Sequence, residues 1–118
     1  MKITKRKLKK DIRLTDKAIA HWENMRADID CGEEPNPEGC ALCNEYNSLG
    51  CRGCPIHAVT GLTSCFNTPY AEAATAFVEA LSDSESLPTW HIESGAMIGF
   101  LIGVRGGLAR DLERRQRM

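Results

Sequence analysis

Six cysteines stand in a chain of 118 residues, and five of them crowd into its middle third. Cys40-Ala41-Leu42-Cys43 is followed, after seven residues, by Cys51-Arg52-Gly53-Cys54, and Cys65 comes ten residues later. A pair of cysteines separated by two residues lets a tight turn aim two sulfurs at one ion, at the ~2.3 Å that zinc requires. Two such pairs complete a tetrahedral four-thiolate shell. The gap between them is shorter than the roughly 15 to 20 residues of a common paired zinc spacing, so the pairs face each other across the small loop Asn44 to Gly50. The expectation is one structural Zn2+ held by four of Cys40, Cys43, Cys51, Cys54 and Cys65.

The choice of four stays open at this level. Cys54 precedes Pro55, a natural first helical residue, and a thiol at a helix N-terminus is more easily deprotonated to the form a metal needs. Cys65 lies just before a strongly patterned helix and would tie that helix to the site. His57 is a weaker substitute, because five thiols already exceed four positions. Cys31, separated from Cys40 by eight residues, reads as a buried or free thiol. A disulfide framework is the first competing reading, but Met1 to Arg13 is basic and no apolar stretch of a secretory leader follows it. An iron-sulfur cluster is the minor alternative. Bacterial ferredoxin motifs also end in Cys-Pro, yet they space their cysteines differently.

Four thiolates leave zinc no open position for water, so such a site stabilises a fold and activates no nucleophile. His21, His57 and His91 are scattered, and Gly103-Val104-Arg105-Gly106-Gly107 lacks the lysine of a phosphate-binding loop. No catalytic constellation is readable, and the chain reads as a non-enzyme.

The elements that must position this centre are helices. Ala18, Ile19, Trp22, Met25 and Ile29 recur at helical spacing behind Thr15 and Asp16, which predicts a helix over about 16–30. The cysteine-rich region occupies 31–67, entered through a segment with two prolines and two glycines. Thr68-Pro69 resembles a cap with proline at the first helical position. Tyr70, Ala73, Ala74, Phe77, Val78 and Leu81 then make an apolar stripe, giving a helix over 69–81. After the polar linker Ser82 to Ser86, a helix over 89–114 buries Trp90, Met97, Leu101, Val104, Leu108 and Leu112. The fold class is mainly α: one small domain over 1–118, of about three helices organised around a cysteine-rich zinc-binding loop region.

Beside the last stripe runs a glycine at every fourth position, Gly95, Gly99, Gly103 and Gly107. Each is less favourable than alanine in a helix interior by roughly 0.5 to 1 kcal/mol, so close approach by another helix is expected to offset them. That helix is either the first helix of the same chain or a second copy in a homodimer, and the dimer is favoured.

Charge is segregated. Met1 to Arg13 carries seven cations against Asp11, Leu14 to Gly95 three against thirteen acids, and Ala96 to Met118 five against two. Lys5, Arg6, Lys7, Lys9, Lys10 and Arg13, with Lys2, could contact nucleic acid, joined by Arg105, Arg110, Arg114, Arg115 and Arg117. No aromatic is interleaved with the lysines to stack bases, and basic ends are commonly mere solvated tails, so a protein partner is the first expectation and nucleic acid the alternative. The longest apolar run, Ala96 to Val104, is half of the ~18 residues of a membrane span, so no membrane is expected.

His21-Trp22, Cys40-Ala41-Leu42-Cys43, Tyr46, Cys51-Arg52-Gly53-Cys54-Pro55-Ile56, Cys65 and Thr68-Pro69-Tyr70 together resemble small proteins encoded by tailed bacteriophages and prophages. The resemblance spans roughly 18–81. It implies a cysteine-held metal and residence in the cytoplasm of the bacterial host, but no activity; an accessory or inhibitor role that binds a host or phage protein is consistent with it and with the acidic body. Cys31 and the four-glycine tail depart from the pattern.

Overall fold

The computed structural model describes residues 4–32, 35 and 69–117. Among them lie three α-helices: α1, Lys5–Ala27; α2, Tyr70–Ser82; and α3, Leu87–Gln116. A 3-10 turn, Ser84–Ser86, joins the last two, and no strand occurs among the described residues. The mainly helical architecture is therefore observed. Residues 36–68, with all five candidate metal ligands, lie outside the described residues.

α1 begins eleven residues before the start expected at Asp16. Thr4 is extended at φ −98 and ψ 161, and its hydroxyl accepts a hydrogen bond from the Lys7 amide at 3.1 Å. A cap of this kind stabilises a helix by about 1 kcal/mol. Leu8 and Asp11 are buried and Ile12 half-buried, so the core-facing stripe already runs through the basic segment. Thr15, which resembles a cap in sequence, sits mid-helix instead, its hydroxyl donating to the Asp11 carbonyl at 2.7 Å. The helix stops at Asp28, which is extended, and Gly32 follows with a left-handed φ of 92° that suits glycine.

α2 starts within a residue of expectation, but its buried side is rotated. Ala73, Ala76, Phe77 and Ala80 are buried, whereas Val78 and Leu81 are 65% and 53% exposed. The alanines let α2 approach α3 closely, which puts the larger aliphatic groups outside. The turn between the helices is set by Asp83, whose carboxylate accepts from the Glu85 amide at 3.0 Å. α3 starts earlier than Thr89: Leu87 takes helical angles, φ −57 and ψ −42, and Pro88 falls in the first turn, where the N–H it lacks would have no partner.

α1 and α3 run antiparallel. The Arg26 side chain donates to the His91 carbonyl at 3.1 Å near one end, and Arg105 meets Asp16 at 2.6 Å further along. Between them the core is aromatic at the α2 end and aliphatic beyond. Trp22 lies 6.2 Å from Trp90 and 6.0 Å from Tyr70, and Phe77 lies 5.3 Å from Trp90, centroid to centroid. Such pairs contribute about 0.5–1.5 kcal/mol beyond their burial. Leu8, Ala18, Leu101, Val104 and Leu108 continue the core toward the α3 C-terminus.

Gly99 and Gly103 do not receive α1, and Gly95 meets only one of its side chains. A Cβ built at Gly99 or Gly103 meets nothing within 4 Å, and Gly95 borders only the Arg26 side chain, at 3.5 Å. α1 packs instead on the opposite side of α3, against Trp90, Met97 and Leu101. By length and composition the helical stretch Ser84–Gln116 could cross a membrane, the one such helix among the described residues, and 28% of its apolar window is buried. The nine-residue count in the sequence misses this because glycine and alanine dilute the charges on either side of the run.

Candidate functional site

Two features of the sequence carry chemistry, the cysteine cluster and the basic ends. Cys40, Cys43, Cys51, Cys54 and Cys65 are outside the described residues, but the places where their segment departs and returns are not. Tyr70, in the first turn of α2, donates its hydroxyl to the Pro35 carbonyl at 3.0 Å. The same ring stacks edge-on against Trp22. Pro35 and Tyr70, on either side of the segment outside the described residues, thus meet beside the aromatic cluster. Five thiols within one short segment are a suitable donor set for one tetrahedral zinc. Among the described residues no group of three or more metal-ligating side chains gathers. Cys31, expected to be buried or free, is exposed on the turn after α1, where its amide donates to the Asp28 carbonyl at 3.1 Å.

The basic ends, remote in sequence, converge. Because α1 and α3 are antiparallel, the start of α1 lies beside the end of α3. Lys5, Arg6, Lys9 and Arg13 are all exposed and fall on successive turns of the outer face of α1, over about 12 Å of helix. Lys7 is differently employed. It reaches Asp11 at 2.5 Å, and Asp11 is 1% exposed, a buried carboxylate that needs such a partner. Lys10 is half-buried. On α3, Arg114 and Arg115 share Asp111 at 3.1 and 3.3 Å, Arg117 pairs with Glu113, and Arg105 is engaged by Asp16. Arg110 is exposed and lies over Gly106. Lys2 is outside the described residues.

Sequence reasoning places these cations in two tails. It misses their union because Leu8 and Ile12 are the only apolar residues at helical spacing among many lysines. Asp11, a lone acid in a basic run, was the available signal that this stretch has an inward side.

Among the described residues, acids gather on α2 and the start of α3. Glu72 and Glu79 on α2 and Glu93 on α3 line a groove with Thr75 and Thr89. His21 is buried edge-on to Trp22 at 6.4 Å, and His91 is exposed with its carbonyl taken by Arg26. Both histidines fit structural positions.

No family model matches this chain, and neither a curated protein nor a solved structure does.

Proposed function

We propose that this chain is a zinc-stabilised, non-enzymatic binding protein that docks on the phosphate backbone of nucleic acid through its basic end. The observation that supports this reading is the exposed row Lys5, Arg6, Lys9 and Arg13 on the outer face of α1. A rigid helix presents charge with less entropy to lose than a mobile tail, so the same cations bind more productively. No aromatic shares the row, which favours contacts to phosphates over stacking on bases and makes the binding independent of sequence. Duplex is the preferred form, since it offers the denser line of charge.

Zinc in this reading is structural, held by four of the five clustered cysteines. The resemblance to bacteriophage proteins makes an accessory role in the host cytoplasm the setting. A protein partner is the second reading, supported by the acidic groove of Glu72, Glu79 and Glu93, which suits a basic segment of another protein.

The experiment is a fluorescence anisotropy titration of a labelled duplex with wild type and with Lys5→Glu/Lys9→Glu/Arg13→Glu. Binding by the wild type alone supports the reading. Equal binding by both, or by neither, rejects it.

A further inference from the structure

The outer face of α3 is apolar and, among the described residues, uncovered. Ile92 is 69% exposed and Ile102 is 53% exposed, and the open positions Gly99 and Gly103 lie between and beside them. This side is opposite the one that buries Trp90, Met97, Leu101, Val104 and Leu108. From Ser94 to Val104 the helix carries no charge at all. Continuous apolar surface of this kind marks contact with something else.

Charge at the two ends of this helix selects what that is. Arg110 and Arg114, both exposed, continue the face at its C-terminal end, whereas Asp83 and Glu85, both exposed, stand at its N-terminal end. We propose that a second copy of this chain docks here, α3 against α3 and antiparallel, with the two-fold axis near Gly99. Glu85 and Arg114 lie fourteen and fifteen residues from Gly99 on opposite sides, so each Glu85 meets the partner copy's Arg114 region. A two-fold interface requires this reciprocity. A parallel pairing would set the arginines against each other, which like charges disfavour. Gly99 and Gly103 at the crossing let the two backbones approach closely, so the isoleucines of each copy pack against the other helix. The outer row of α1 stays uncovered, so the dimer does not depend on nucleic acid and is tested without it.

The test is sedimentation equilibrium of the full chain as purified, with its metal, up to about 100 μM. The expected mass is twice the 13.0 kDa of one chain. Ile92→Glu/Ile102→Glu should be monomeric with unchanged helix content, since both side chains are exposed. Glu85→Arg and Arg114→Glu should each weaken the dimer about ten-fold, because the contact occurs twice. The double variant Glu85→Arg/Arg114→Glu should restore it. A wild type at 13.0 kDa throughout overturns the proposal. So does a dimer indifferent to the isoleucine pair, or failure of the double variant to restore association. If Ile92→Glu/Ile102→Glu unfolds or sheds its metal, residues 36–68 of the same chain cover the face. If the wild type floats with phosphatidylcholine vesicles and that variant does not, a bilayer covers it. Either result also overturns the proposal.

Discussion

Arg105 on α3 and Asp16 on α1 meet at 2.6 Å across 89 residues of sequence. The contact marks the register in which the basic start of α1 lies along the basic end of α3. Both side chains are close to half exposed, so the pair itself is worth at most about 1 kcal/mol. Register rests on the buried residues either side of it. Arg105→Ala should therefore lower stability by less than about 1 kcal/mol in denaturant titration and leave the helix content unchanged. A collapse of the fold would show that the ion pair, not the core, aligns the helices.

Leu8 decides whether the basic segment is a helix docked on the core or a solvated tail. It is 1% exposed, and Leu8→Ala should cost about 2–5 kcal/mol in chemical denaturation. Lys9→Ala, on the exposed side of the same turn, should cost close to nothing. Equal and negligible effects would mean that residues 5–13 do not pack in solution.

Tyr70 joins the aromatic core to the departure point of the cysteine-rich segment. Tyr70→Phe keeps the ring against Trp22 and removes the hydroxyl that donates to Pro35, so a loss of about 1 kcal/mol is expected. If the neighbouring cysteines hold a metal as proposed, a competing chelator should also strip it faster from this variant. Unchanged metal release would separate the hydrogen bond from the centre.

Elemental analysis of protein purified without added metal should find about one zinc per chain, with the thiols reduced. Cys40→Ser or Cys43→Ser should lose the metal and unfold, whereas Cys31→Ser, at an exposed turn position, should keep both metal and fold. Iron with visible absorbance, or three disulfides, would contradict the zinc assignment. Metal loss in Cys31→Ser alone would move the ligand set.

Much of the helical frame was legible because large apolar groups repeat at one period. Trp90, Met97, Leu101, Val104 and Leu108 are read correctly as the inner side of α3, and Leu112 is half-buried behind them. Two things were hidden for physical reasons. In the first half of α1 the buried residues are Leu8, Asp11 and Thr15, and two polar residues in three disguise a core stripe, so the helix is started too late. In α2 the inner side is mostly alanine, so the larger Val78 and Leu81 draw the expected stripe toward solvent. Convergence of the two basic ends is a property of antiparallel packing. Neither segment alone contains it.

The most direct measurement of the central claim is duplex affinity as a function of salt, for wild type and for Lys5→Glu/Lys9→Glu/Arg13→Glu. If Lys5, Arg6, Lys9 and Arg13 each neutralise a phosphate, log K should fall against log salt with a slope of about −3.6. Affinity would then drop by roughly 10²-fold between 50 and 200 mM, independent of base sequence. The triple variant should bind too weakly at 50 mM to measure a slope. No duplex binding by wild type at 50 mM, or a slope and affinity unchanged by the triple variant, would contradict the assignment of this end of the molecule to nucleic acid.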